Sequence, residues 1–449
     1  MSARRVAWEC LAAVAYDDAY ANIVLPHLIR DAHLDGRDAA LATELAYGTL
    51  RMRGLYDAIL SRASGRDARD LDGGVRIALW LGAHQMLSLR IPPHAAVDQT
   101  VALAKEVGYG RASGLVNAVM RRISEAPLDA WITRVAPGRD TADLAVRTSH
   151  PEWIVQELAA ALTADGRGGD LEALLEADNV PPTVTLVARP GLMDRDALAA
   201  EVGGTPTRLS PWGVHLPGGD PARVAAVREG RAAVQDEGSQ LAALALLAAP
   251  LDGPDERWLD MCAGPGGKTA LLGARAAQVG AHVDAVEMHA HRARLVNRAT
   301  RAVPSGAVTV HHADASGWTG GAPYDRILLD APCTGLGAMR RRPESRWRRT
   351  PEDLADLVAT QRRLLAHAAS VLRPGGVLAY VTCSPVTAET RSQVAASGLT
   401  ELATAQVLAD ALDVPAALLG REGNGPVQLW PHVHHTDAMF ISLLTRPAA

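Results

Sequence analysis

The hydrophobic and polar positions of this chain follow two different periods, one in each half. Up to about residue 125 the apolar residues recur three and four positions apart, which is typical of amphipathic helices, and no alternating pattern interrupts them. From residue 256 onward, short apolar runs are separated by helical patterns, for example at 268–279 and 352–372. The predicted strands are 257–262, 282–287, 307–312, 325–330, 376–382 and 437–443. This alternation predicts a mainly parallel sheet whose ligand site lies at the carboxyl ends of its strands.

A mixed segment joins the two halves. Residues 181–189 and 212–216 have strand patterns, and we interpret 176–245 as a small α+β subdomain beside the α/β domain. Within the helical half, residues 74–89 are apolar nearly all round and should form a buried central helix. The sequence therefore predicts three parts: an all-α bundle in residues 1–140, a connector with the small subdomain in 141–250, and an α/β domain in 251–449.

Composition narrows the class of protein. The 449 residues are 48% hydrophobic and 21% charged, which indicates packed globular domains. No apolar run reaches the length of a membrane span, and the N-terminus lacks a signal-peptide pattern, so we expect a cytoplasmic protein. The four cysteines lack the paired spacing of a zinc site, and no metal is expected.

The net charge of −5 gives no global sign of nucleic-acid binding, but the charge is unevenly distributed. Residues 340–349 contain six arginines and Trp347. Such a block can bind phosphates and stack on bases, or it can be a solvated basic loop.

A glycine-rich turn is the clearest chemical signal. Residues 258–269 run from an apolar strand through Gly264, Gly266 and Gly267 into a helical pattern, as where a first strand feeds a first helix. Glu287 follows Gly267 by 20 residues, a spacing at which nucleotide-type folds hold a ribose.

Two known phosphate-binding patterns do not match this turn. A P-loop would need glycine at position 262, where Cys262 stands, and a dinucleotide fingerprint would need glycine at 269, where Thr269 stands. We therefore interpret residues 257–290 as a nucleoside-cofactor site. Lys268 adds a compact charge to it, although Lys105 and Lys268 are the only lysines among 45 basic residues.

Two cysteines follow predicted strands of the same sheet. Cys333 comes soon after the strand that ends at Asp330, and Cys383 directly follows the strand 376–382. Either could be a buried core thiol, but together with the glycine-rich turn they indicate a reactive pair. A thiolate that adds to carbon 6 of a pyrimidine makes carbon 5 nucleophilic, so that it can attack the methyl group of S-adenosylmethionine.

The motifs as a whole resemble one family. Pro332-Cys333 with Thr382-Cys383 is similar to RNA cytosine-carbon-5 methyltransferases of the Sun/Fmu type, whose N-terminal domain is a NusB-like helical bundle. The segments similar to that domain are 44–51, 92–97 and 116–122. The resemblance implies an all-α NusB-like bundle followed by an α/β Rossmann-like class I methyltransferase domain.

The resemblance also assigns roles. It implies that Cys383 is the nucleophile and that Cys333 assists product release. Asp330 would orient or protonate the base edge, and Lys268 would assist. The residues implied to contact S-adenosylmethionine are Cys262, Ala263, Gly264, Pro265, Gly266, Gly267, Lys268, Glu287, Asp314 and Asp330.

The implied substrate is a cytosine of small-subunit (16S) ribosomal RNA, methylated at carbon 5 by a monomeric enzyme through a cysteine adduct. The helical bundle and the arginines of 340–349 would hold the RNA backbone. Two alternatives stay open: a transfer RNA substrate, and a non-catalytic RNA-binding antitermination or assembly factor.

Overall fold

The chain folds into two compact units. A computed structural model describes residues 1–320, 323–420 and 425–447. One unit, here the helical unit, comprises Met1–Ala159, Asp170–Val180 and Met339–Arg348. The other, here the sheet unit, comprises Ala160–Gly169, Pro181–Ala338 and Arg349–Ala449. Within the described ranges, no helix combines the length and the apolar character needed to cross a lipid bilayer.

Helices and strands are numbered in chain order. The helices are α1 (Ala3–Tyr16), α2 (Ala21–Asp31), α3 (Gly36–Ser64), α4 (Gly73–Ala83), α5 (Pro93–Glu106), α6 (Ser113–Ile123), α7 (Leu128–Val135), α8 (Thr141–Arg147), α9 (Glu152–Ala164), α10 (Leu171–Ala177), α11 (Arg195–Val202), α12 (Ala225–Glu229), α13 (Glu237–Ala248), α14 (Gly267–Val279), α15 (Ala290–Ala299), α16 (Ser345–Arg348), α17 (Pro351–Val371), α18 (Arg391–Ala396), α19 (Thr404–Leu412) and α20 (Pro431–His434). The strands are β1 (Thr185–Ala188), β2 (Thr205–Pro206), β3 (Gly213–His215), β4 (Ala232–Val234), β5 (Arg257–Asp260), β6 (His282–Glu287), β7 (Val308–His312), β8 (Tyr324–Asp330), β9 (Leu372–Thr382), β10 (Thr400–Glu401), β11 (Val427–Gln428) and β12 (Phe440–Thr445).

The core of the helical unit is built on α4, as the apolar pattern predicts. Nearly every side chain of this helix is buried, including Trp80. The predicted helix 74–89 is divided in the structure, because α4 ends at Ala83 and one π-helical turn covers His84–Ser88. Tyr56 of α3 donates or accepts a 2.8 Å hydrogen bond with Nδ1 of His84, which satisfies a polar group inside the core.

The arginine-rich run lies largely within the helical unit. Arg346 is fully buried, and its guanidinium donates to the carbonyl oxygens of Ser149 and Asp178 and to Oδ1 of Asn179. Arg348 donates to three backbone carbonyls, one near the end of α1 and two in the loop between α1 and α2. For these two arginines the interpretation as a phosphate-binding block is wrong, and so is the solvated-loop alternative, because their donors are already used inside the unit.

We expect Arg346→Ala to destabilise the protein strongly, because it leaves three buried acceptors without their donor. The loss should be about 3 kcal/mol of unfolding free energy. Thermal and urea unfolding measure it, with Arg66→Ala, an exposed arginine of the same unit, as the control. Equal stability of the two variants would contradict the structural role of Arg346.

The sheet unit contains two sheets. In the described residues the smaller has the antiparallel order β2-β3-β1-β4, and the larger has the order β10-β12-β9-β8-β5-β6-β7, with β11 beside β12. The five strands β7, β6, β5, β8 and β9 are parallel, and β12 runs antiparallel to β9. The predicted strands of the α/β domain are thus confirmed, with shifted ends.

Helices cover both faces of the larger sheet. Apolar side chains of α13, α14 and α19 form one buried cluster with the strands, and those of α17 form a second. The start of α17 is fixed by a capping box, in which Thr350 and Asp353 exchange hydrogen bonds around Pro351. This layered arrangement leaves the carboxyl ends of the parallel strands free to carry a site.

The turn between β5 and α14 depends on Gly266. Its φ is +105°, and a Cβ there would lie 2.7 Å from Cβ of Ala299 and 2.8 Å from Cα of Val296. Gly280 at the other end of α14 also has a positive φ, of +77°, but a Cβ there would meet nothing within 4 Å. An alanine at position 280 would therefore suffer backbone strain alone, whereas an alanine at position 266 would suffer both backbone strain and steric overlap.

Gly266→Ala should be the more damaging of the two alanine substitutions. Gly280→Ala costs the left-handed penalty, about 1 kcal/mol. Gly266→Ala adds the displacement of α15, roughly another 1 to 3 kcal/mol. Thermal unfolding of the two variants side by side measures the difference, and a smaller loss for Gly266→Ala would refute the close packing of this turn.

Candidate active site

The predicted site residues gather where the order of the sheet reverses. The chain builds β5, β6 and β7 outward in one direction and then returns to place β8 and β9 on the other side of β5. In such sheets the crevice at the carboxyl ends of the two central strands is the ligand site. Here it lies between the ends of β5 and β8.

Glu287 and the glycine-rich turn form one side of the crevice. The Glu287 carboxylate is buried and accepts hydrogen bonds from the backbone N–H of Gly264 at 3.1 Å and of His289 at 2.9 Å. Arg292 donates to the carbonyl of Gly264 and lies 3.6 Å from Glu287. Backbone donors and a cation thus hold the carboxylate at the end of β6.

The remaining residues of the turn surround a buried carboxyl that the sequence reasoning missed. Asp260, at the end of β5, accepts a 2.7 Å hydrogen bond from the hydroxyl of Thr269. Burial raises the pKa of Asp260 to about 7. Burial also raises the pKa of the Cys262 thiol far above its ordinary range, so Cys262 is a neutral neighbour of the site. The sequence signal that could have identified Asp260 is its position at the end of an apolar strand.

Asp314 lies beyond the end of β7 and is exposed. Its carboxylate accepts from the N–H of Ser316 at 2.9 Å, and this hydrogen bond lowers the pKa of Asp314. The neighbouring Ala313 donates its N–H to the carbonyl of Glu287, so the two acidic residues stand at adjacent strand ends.

Gln235 is a further polar group at the turn. Its side chain is buried against Gly267, and its Oε1 has no hydrogen-bond partner among the described residues. The sequence reasoning gave no role to the polar cluster 235–240. In the structure, Glu237 and Gln240 of this cluster bind Ser210 and join α13 to the small sheet.

Lys268 and Asp330 form an ion pair across the crevice. The Nζ atom of Lys268 lies 2.8 Å from Oδ2 of Asp330. Burial alone would lower the pKa of Lys268, but the charge of Asp330 and the hydrogen bond between them raise it overall. Lys268 is therefore held as a cation. Negative charge on Cys383 raises the pKa of Lys268 further.

The two predicted thiols meet on the other side of this pair. The Sγ atoms of Cys333 and Cys383 are 3.4 Å apart. The hydrogen bond from Cys333 lowers the pKa of Cys383, and the charge of Lys268 acts in the same direction, against burial and the charges of Asp330 and Asp437. The same contact, together with burial, raises the pKa of Cys333. Negative charge in the pair therefore belongs on Cys383.

Glu389 and Gln361 are hydrogen-bonded to each other and to the residues that flank Cys333, and the sequence reasoning did not single out either residue. Glu389 is fully buried and accepts hydrogen bonds from Thr334, next to Cys333. It follows Cys383 in a polar stretch without any recognisable spacing signal. No group of three or more His, Cys, Asp or Glu side chains within the described ranges is arranged to hold a metal ion.

Comparison with known proteins places this chain in a family. A family model described as 16S rRNA methyltransferase RsmB/F matches residues 246–445, and the NusB family model matches residues 1–125. A Mycobacterium tuberculosis protein, Rv1407, named as a methyltransferase, is 48% identical over 451 residues, which cover 99% of this chain and 96% of the relative.

A further relative supports the assignment, and a solved structure shares the fold. The ribosomal RNA small subunit methyltransferase B of Pseudomonas putida is 34% identical over 400 residues, with 87% of each chain covered. A crystal structure of a protein named PH0851 matches with a TM-score of 0.78 at 19% identity over 99% of both chains, which shows a shared fold. The resemblance seen in the motifs is confirmed: the chain belongs to the RsmB/F family of S-adenosylmethionine-dependent RNA methyltransferases, with an N-terminal NusB domain.

Proposed function

We propose that this protein methylates carbon 5 of a cytosine in small-subunit ribosomal RNA, in the cytoplasm, through a covalent adduct on Cys383. The observation that supports this chemistry best is the contact of two thiols, 3.4 Å apart, beside a lysine cation at the ends of parallel strands. The ribosomal substrate rests on the names of the relatives.

The crevice suits S-adenosylmethionine. The Glu287 carboxylate is held by backbone donors where ribose hydroxyls could donate to it, and the turn 262–268 lets backbone approach the rest of the cofactor. The buried Oε1 of Gln235 offers an acceptor to the cofactor's ammonium group. Asp314 stands near the expected adenine, and Asp330 closes the other side. The cofactor supplies an electrophilic methyl group.

Cys383 acts as the nucleophile because the hydrogen bond from Cys333 and the charge of Lys268 lower its pKa, whereas the pKa of Cys333 is raised. Its sulfur forms a bond to carbon 6 of the cytosine, and the electrons of the 5,6 double bond move to carbon 5 and, through carbon 4, to ring nitrogen N3. Asp330, held by Lys268, orients the edge of the base. Carbon 5 accepts the methyl group as the bond from that group to the sulfonium sulfur breaks, which leaves S-adenosylhomocysteine. A base then removes the carbon 5 proton, and the electrons of that C–H bond restore the 5,6 double bond as the thiolate of Cys383 leaves. We assign Cys333 to this release step, because it touches the leaving sulfur.

The first test exchanges the thiols one at a time. Cys383→Ala should abolish methylation of under-modified small-subunit RNA, because no adduct can form. Transfer of labelled methyl groups measures it, and Cys10→Ala, a buried cysteine of α1, is the control. Normal turnover by Cys383→Ala would refute the role of Cys383 as the nucleophile. Methylation of transfer RNA instead of ribosomal RNA by the wild-type protein would refute the ribosomal substrate.

Cys333→Ala should behave differently. If Cys333 serves release, the variant forms the bond to RNA but cannot complete the cycle, so a protein–RNA adduct accumulates on denaturing gels. The double variant with Cys383→Ala should form none. Absence of an adduct in the single variant would contradict the release role.

The pH dependence of the reaction should depend on Lys268. The rate rises with pH as Cys383 ionises, and the lysine cation moves this rise to lower pH by lowering the pKa of the thiol. Lys268→Met should therefore move the rise to higher pH, by roughly one pH unit. Single-turnover rates over a pH series measure it. Lys105→Met, at the exposed second lysine of the chain, should leave the profile unchanged.

A further inference from the structure

Glu389 is a fully buried carboxylate that none of the steps above uses. Its Oε1 accepts from the N–H of Thr334 at 2.8 Å and from the amide of Gln361 at 3.0 Å. Its Oε2 accepts from the hydroxyl of Thr334 at 2.5 Å. The two oxygens of this buried carboxylate thus receive three hydrogen bonds from two residues.

These hydrogen bonds hold the segment around Cys333 from both sides. Thr334 directly follows Cys333, and Pro332 directly precedes it. The Nε2 atom of Gln361, which donates to Glu389, also donates to the carbonyl of Pro332 at 2.9 Å. The hydroxyl of Thr334 also lies 3.1 Å from Oγ of Ser384, the neighbour of Cys383. The carboxylate therefore connects the residues that flank the two thiols.

The charges around the thiol pair are arranged asymmetrically. The cation of Lys268 lowers the pKa of Cys383, whereas the negative charge of Glu389 adds to the rise in the pKa of Cys333. Asp330 and Asp437 also face Cys383 and oppose Lys268. The negative charge of Glu389 near Cys333 and the cation of Lys268 near Cys383 both favour the proton on Cys333 and the negative charge on Cys383.

We propose that Glu389 is a positioning residue of the two-thiol site, which fixes the loop of Cys333 and, by its charge, keeps the shared proton on Cys333 and the thiolate on Cys383. This inference rests on the proposed function for its catalytic meaning, because only a reaction that needs one defined thiolate makes the bias useful. The bias itself is a property of the protein without RNA or cofactor.

The test maps which thiol reacts. Full-length protein is treated near neutral pH with a limiting amount of iodoacetamide, and mass spectrometry gives the ratio of label on Cys383 to label on Cys333. Wild type should favour Cys383. Glu389→Gln keeps the shape and removes the charge, so the ratio should fall by roughly tenfold, as for a change of one pKa unit between the sulfurs. Glu389→Asp keeps the charge and should retain most of the preference.

The variants separate charge from shape. If Glu389→Gln keeps the wild-type ratio while Glu389→Asp loses it, the residue is a shape-dependent tether and the proposal is overturned. Glu352→Gln, on the exposed first turn of α17, is the matched control and should change nothing. Should Glu389→Gln fail to fold, Gln361→Met removes a donor and leaves the charge. It should keep the preference for Cys383, and a shift toward Cys333 would equally overturn the proposal.

Failure of this inference is distinguishable from failure of the proposed function. The labelling ratio needs neither RNA nor S-adenosylmethionine, so it stands even if Cys383→Ala still methylates RNA. Where the proposed function holds, Glu389→Gln should in addition lower kcat roughly tenfold with little change in KM for RNA, because ground-state binding does not involve the thiolate. An unchanged kcat with a changed labelling ratio would overturn the catalytic part of the proposal alone.

Discussion

Backbone hydrogen bonds between the ends of neighbouring strands hold the two sulfurs in contact, and the rest of the site is arranged around them. Ala331 donates to Val381 across the ends of β8 and β9, and Gly337 donates to the carbonyl of Cys383, each at 2.9 Å. Gly337 also accepts from Ala438, and a Cβ at position 337 would lie 2.0 Å from the Ala438 carbonyl oxygen. The segments that contain Gly337, Cys383 and Ala438 are far apart in sequence, and they can approach this closely only because glycine has no side chain.

The electrostatics of the site follow from that contact. Two thiols in contact share one proton more readily than they release two, so the surrounding charges decide which sulfur keeps it. The ammonium of Lys268 is suited to this task because it is a compact charge, whereas a guanidinium spreads its charge over a planar fork. In a chain with 45 basic residues and two lysines, the presence of lysine here matches that physical requirement.

Local patterns predicted much of the fold. The alternating apolar runs predicted the strands of the α/β domain, and the helical pattern of 352–372 predicted α17, because both signals act within a few residues. The glycine-rich turn and the cysteines after strand ends were recognisable because parallel strands bring their carboxyl ends to one edge. The antiparallel direction of β12 has no such local signal, since apolar period alone does not encode strand direction.

The residues that sequence reasoning missed are those whose role depends on distant partners. Arg346 reads as a surface charge in sequence, yet it is buried among carbonyls of Ser149 and Asp178. Glu389 and Gln361 meet only because α17 packs against the ends of β8 and β9. A carboxylate buried among three donors cannot be told from a solvated one until the fold is known.

The discontinuous sequence of the helical unit has a consequence for synthesis. Its last segment, Met339–Arg348, comes after four strands of the larger sheet along the chain. On the ribosome, the N-terminal helices therefore emerge long before the arginines that satisfy the carbonyls at their ends. Until translation has passed residue 348, those backbone oxygens lack their arginine donors, so the helical unit is completed after β5 to β8 of the larger sheet have been synthesised and before β9 and β12 have been.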